Sequence, residues 1–148
     1  MIAAGFARYR FDDLIAGPFT GLFEASTTVE GHRLPELFCG FHRRPGEGPT
    51  LYPVACSPQA WASGVVFCLL QTCLRLSVNA QDHELSIDRP ILPPCLTYVR
   101  LLNLELPFGA VDLLFEQHPL DVAVTVLRQH GEFNVRVIKS EFADSTRH

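Results

Sequence analysis

The chain has 148 residues, 47% of them hydrophobic and 19% charged, with a mean hydropathy of +0.15. That suffices for one domain with a real core, and it excludes a disordered chain, a collagen-like repeat and a disulfide miniprotein. Twelve Lys and Arg against sixteen Asp and Glu leave a formal charge of −4, so no basic face is implied and nucleic acid is not an expected partner.

Residues 1 to about 80 read as helices and loops. Ile2, Phe6 and Tyr9 follow i, i+4, i+7 spacing, which suits one short amphipathic helix. Asp12 is a candidate N-cap for a second helix running to about Ser26, with Asp13 at the positive end of its dipole. Gly17-Pro18 predicts a kink or break inside that helix, because Pro18 lacks an amide donor and disfavours α geometry at Gly17. Residues 29–57 show no period and are rich in Gly and Pro, including Gly46, Gly48, Pro45 and Pro49. Loops of that length inside a domain are usually functional.

A third helix is expected with Ser57 as N-cap, Pro58 at its first position and an apolar run to Leu76. Ala60–Leu76 contains Ser63, Gln71, Thr72 and Arg75 and spans 17 residues. A membrane span needs roughly 20 predominantly apolar ones. It therefore reads as a buried helix, and no membrane partner is expected. Being apolar on nearly all sides, this helix needs cover from several directions and points to self-association through the 1–28 and 58–76 helices.

The second half alternates apolar and polar residues. Strands are predicted near 84–88, 98–106, 110–117, 121–129 and 132–138, as an antiparallel meander whose Phe115, Val124 and Val126 need cover. Arg89 to Leu96, with three prolines, is an extended connector. The fold class is thus α+β: a helical segment over 1–80 with its long loop, a small β-domain over 84–138, and a flexible tail over 139–148.

Five cysteines (Cys39, Cys56, Cys68, Cys73, Cys95) show no CxxC and no matching histidine spacing. Buried free thiols in a reducing cytoplasm are the expectation, without metal or cofactor. Histidines lack HxxxH spacing, no Gly-x-Ser-x-Gly elbow surrounds a serine, and no glycine-rich phosphate loop follows a strand. The residue that stands out is Glu36, set among Leu34, Pro35, Leu37 and Phe38. An apolar surround disfavours the charged carboxylate and suits it to proton transfer. Alternatively, Glu36 pairs with Arg33, Arg43 or Arg44, or caps loop amides. Trp61, the only tryptophan, either faces a pocket mouth, where its ring stacks on a sugar, or sits in the core.

The stretches Arg33–Phe41 (RLPELFCGF), Tyr52–Ala62 (YPVACSPQAWA) and Arg89–Leu96 (RPILPPCL) resemble the C-terminal end of bacterial amylo-α-1,6-glucosidases, glycogen-debranching-type glycoside hydrolases of the (α/α)6-toroid group. The resemblance runs from about Ile2 to Val137. It implies that Glu36 aligns with the catalytic general base and that Gln59 and Trp61 help shape the sugar pocket. It also implies an α-glucan or oligosaccharide as ligand. Two positions depart from the pattern: Cys95, where an aromatic is expected, and Gly17-Pro18, where a continuous helix is expected. The family's enzymes are several times longer, and the toroid segment carrying the general acid has no counterpart here. Since inversion needs two carboxyl groups roughly 6.5–9.5 Å apart, the expectation is an inactive C-terminal portion. It would work with an upstream toroid subunit, or persist as a non-catalytic carbohydrate-binding or oligomeric assembly module.

Overall fold

A computed structural model of the chain describes residues 2–139; the tail read at 139–148 lies, Lys139 apart, outside them. Among the described residues the fold is α+β, with three α-helices and two three-stranded sheets. It divides into two compact units, one running to Thr72 and the other beginning at Cys73.

In the first unit, α1 (Ile2–Arg8) buries only Ala3, while Ile2 and Tyr9 are exposed. The predicted apolar stripe is therefore not the packed one. Its aromatic contact is local, with Phe6 edge-on to Phe11. Of the kink or break expected at Gly17-Pro18, the break does not occur: helix α2 (Asp13–Thr28) runs continuously through Pro18. Pro18 lies on the exposed side, and the other turns hold while Ile15, Phe19 and Ala25 bury one face. Asp12 stands at the N-cap position without a side-chain capping bond. At the other end, the hydroxyls of Ser26, Thr27 and Thr28 donate to the carbonyls of Phe23, Glu24 and Ala25. These i→i−3 bonds add a second donor to carbonyls that already accept an amide within the helix.

Helix α3 (Ala60–Leu74) is shorter than the predicted 58–76. Gln59, not Ser57, opens it. Its carbonyl accepts from Ser63 N–H at 3.1 Å, and its Oε1 accepts from Ala60 N–H at 3.0 Å. Arg75, with φ 51°, ends it in the left-handed region where chains leave helices. The core of this unit joins Ala25 and Leu22 of α2 to Ala62, Val65 and Val66 of α3, with Leu34 and Phe38 from the loop.

The described residues of the second unit form six strands: β1 (Leu76–Asn79), β2 (Glu84–Asp88), β3 (Tyr98–Leu106), β4 (Gly109–Gln117), β5 (Val122–His130) and β6 (Asn134–Ile138). Five lie within two residues of their predicted bounds; β1, read as the end of the helical half, is the addition. Only β3-β4-β5 forms the meander. Strand β6 leaves it to pair in parallel with β2, Leu85 opposite Val135 and Ile87 opposite Val137, and β1 pairs antiparallel on the other side. The central strands carry most of the buried side chains, Leu85 and Ile87 in β2 and Val111, Leu113 and Phe115 in β4, joined by Val122 at the start of β5. Phe115 is buried as expected, but Val124 is only half-buried and Val126 is exposed on the edge strand β5. Leu92 and Pro93 of the connector are also buried.

Candidate functional site

The 29–57 segment has more order than its sequence implies. After a short 3-10 turn at Glu30–His32, the chain folds back on itself. Phe38 and Leu51 form an antiparallel bridge, and Cys39 N–H donates to the Thr50 carbonyl at 2.9 Å. Deeper in, Glu36 N–H donates to the Cys56 carbonyl at 2.9 Å, and Gln59 N–H to the Leu34 carbonyl at 3.3 Å. Leu34, fully enclosed, anchors this ladder in the helical core. The ladder therefore sets Glu36 beside the segment that leads into Gln59 and Trp61.

Glu36 itself is half-buried. Its Oε2 accepts from Cys56 N–H at 3.4 Å, a long bond that fixes which way the carboxylate lies. Of the arginines considered as its partners, Arg43 pairs with Glu24, and Arg44 Nε lies 2.9 Å from Glu47 Oε2. The bond from Cys56 N–H is instead the alternative in which Glu36 caps a loop amide. Gln59 is half-buried and spends its Oε1 on the Ala60 amide. Its side-chain NH2 is the group able to donate outward. Trp61 is 60% exposed in the first turn of α3. It is not a core tryptophan, and its ring is accessible for stacking.

A separate depression lies between the C-terminal half of α2 and the 38–50 loop, with a volume of about 520 Å³. Leu22, Ala25 and Phe38 line it together with the two arginine–glutamate pairs, and Phe41 and His42 also border it. Neither Glu36, Gln59 nor Trp61 does. Sequence reasoning did not single out these residues, although Pro45-Gly46-Glu47-Gly48-Pro49 beside two arginines and two phenylalanines was a readable signal.

Among the described residues, no group of three or more His, Cys, Asp or Glu could hold a metal ion. None of the five cysteines is in a disulfide. Only Cys73 is buried; Cys56, Cys68 and Cys95 are exposed, so burial of the set does not hold. No helix among the described residues is long and apolar enough to cross a membrane. No family model, no curated protein and no solved structure matches the chain.

Proposed function

We propose that the chain is the C-terminal portion of a debranching-type glycoside hydrolase acting on α-glucans in the cytoplasm, inactive alone. The supporting observation is the ladder between Leu34–Glu36 and Cys56–Gln59, which sets Glu36 beside the approach to Gln59 and the exposed Trp61. In this reading the indole of Trp61 lies against the apolar face of a pyranose ring. The Gln59 amide donates to a sugar hydroxyl. Glu36 acts as general base: with Oε2 held by Cys56 N–H, Oε1 is the oxygen that takes a proton from the attacking water. The acid that protonates the leaving oxygen comes from an upstream toroid subunit, at roughly 6.5–9.5 Å from Glu36.

Two assays test this. Glucose release from isomaltose and limit dextrin by the chain alone is expected to stay at background. Turnover abolished by Glu36→Gln would place both carboxylates in this chain and overturn the partial-enzyme reading. Maltotriose is expected to change the fluorescence of Trp61 saturably, and no change would overturn the saccharide role itself.

A second reading, a non-catalytic assembly module, is favoured by one side of α3. Trp61, Gly64, Phe67 and Cys68 are all exposed there, Phe67 at 74%. In this reading two copies of the chain cover that side. Sedimentation is expected to give a dimer that Phe67→Ser turns into a monomer; a monomeric wild type removes the reading.

A further inference from the structure

We propose that the cleft between α2 and the 38–50 loop is a second saccharide site, distinct from Trp61 and selective for a neutral oligosaccharide. It goes beyond the Glu36 reading and shares with it only the class of ligand.

The first reason is size and shape. About 520 Å³ falls within the roughly 300–1,000 Å³ of small-molecule sites. Its floor is apolar, from Leu22, Ala25 and Phe38. Phe41 stands 72% exposed at its border. An exposed aromatic ring next to an apolar floor suits the C–H face of a sugar ring better than a fully polar solute.

The second reason is charge. The cleft carries two matched pairs, Arg43 with Glu24 and Arg44 with Glu47. An anionic ligand that reached either arginine would also meet the carboxylate beside it, and a cationic one that reached a glutamate would meet the guanidinium. A neutral polyol meets neither repulsion. A hydroxyl accepts from a guanidinium N–H and donates to a carboxylate, so adjacent hydroxyls match adjacent members of a pair. Arg44 Nη2 also donates to Thr50 Oγ1 at 3.3 Å, which steadies the guanidinium.

The third reason is that close approach builds the walls. A Cβ on Gly48 would lie 2.7 Å from Thr28 Oγ1 and 2.8 Å from Thr28 Cβ. Thr28 is held in place by its own bond to the Ala25 carbonyl. Only glycine lets the loop come this near to the end of α2. On the helix side, a Cβ on Gly21 would meet Arg43 Nη2 at 3.3 Å, so the bare backbone there leaves room for the guanidinium.

Titration of the full ¹⁵N-labelled chain with maltotriose tests the proposal. The amides of Thr28, Gly46, Gly48 and Thr50 are expected to shift with one common affinity. The double variant Phe41→Ala/Arg43→Ala should weaken that affinity tenfold or more while leaving the Trp61 fluorescence response in place. Both residues are exposed, and the remaining amide spectrum reports whether the variant is folded. Trp61→Ala should leave the cleft shifts intact, so loss of the Trp61 response alone overturns only the Glu36 reading. Glucose 6-phosphate should bind the cleft no more tightly than glucose. Unmoved cleft amides, an affinity unchanged in the double variant, or a tenfold preference for the phosphorylated sugar would each overturn the proposal.

Discussion

At Asp112 one carboxylate serves three strands. Its Oδ1 accepts from the backbone N–H of Asn103 at 2.7 Å, inside the irregularity of β3 where Asn103 takes φ 52°. Its Oδ2 lies 3.0 Å from Nε of Arg128 on β5. The Asn103 bond first, and the Arg128 charge after it, hold the carboxyl below its ordinary value of 3.8 despite the opposing effect of burial. A group that binds its proton less tightly when folded stabilises the fold fully above the ordinary aspartate range. That stability is lost as pH falls through the lowered value. Asp112→Ala is therefore expected to be less stable than wild type at neutral pH, with the gap narrowing below about pH 4 in urea titrations. A gap constant down to pH 2.5 would contradict the assignment. Cys73 is the opposite case. Burial, against the partial relief of Arg75, pushes its thiol up to about 11 from 9.0. Its contribution is complete below pH 9 and lost as pH rises toward 11, so the stability gap between wild type and Cys73→Ala should narrow over that window. Little of this was legible in the sequence. Nothing local marks Asn103 as a bulge or Cys73 as the one enclosed thiol, because both properties come from strands and connectors distant in the chain.

Elements followed the sequence closely where a local period set them and departed where a remote partner did. The bounds of β2 to β6 came from alternation and turn residues, which act over a few positions. That β6 would abandon the meander for a parallel place beside β2 has no local signature, since alternation fixes a strand's faces but not its neighbour. Pro18 shows packing overriding propensity: α2 passes through it because Ile15, Phe19 and Ala25 gain a buried face on both sides of it. Pro18→Ala is expected to stabilise the protein by about 1–2 kcal/mol, the ~3 kcal/mol interior penalty of proline less ~1 kcal/mol of lost restriction on the unfolded chain. A destabilised variant would mean that α2 depends on the proline. Turn glycines give the opposite sign. At Gly131, with φ 98°, a Cβ would lie 2.5 Å from the Phe108 carbonyl oxygen and 3.0 Å from Gly109 Cα. Here the β3–β4 and β5–β6 turns touch backbone to backbone, capped by the rings of Phe108 and Phe133 5.0 Å apart. Gly131→Ala should cost about 2 kcal/mol or more. Gly64→Ala in α3, with nothing within 4 Å, should gain about 0.5–1 kcal/mol. Thermal or urea unfolding of the pair decides whether close approach, rather than glycine itself, is what matters.

For the molecule as a whole, the sequence carried the α+β class and the Glu36, Gln59 and Trp61 candidates, but not the ladder that ties their segments together. That ladder depends on residues 20 and 25 positions apart in the chain, Glu36 with Cys56 and Leu34 with Gln59, within a stretch whose prolines and glycines suggest no structure. Leu34 is what makes it possible, since its burial between α2 and α3 pins one edge of the loop in the core. The saccharide role proposed for Glu36, Gln59 and Trp61 requires that edge to present a sugar-binding surface at the head of α3. Its most direct test is a fluorescence titration of the unmodified chain with maltotriose, in which Trp61 is the only indole. The expected result is a saturable change in emission that Gln59→Ala weakens severalfold and that an equal concentration of glycerol does not reproduce. Emission unchanged by maltotriose and isomaltose alike, in a chain that remains folded, would contradict it.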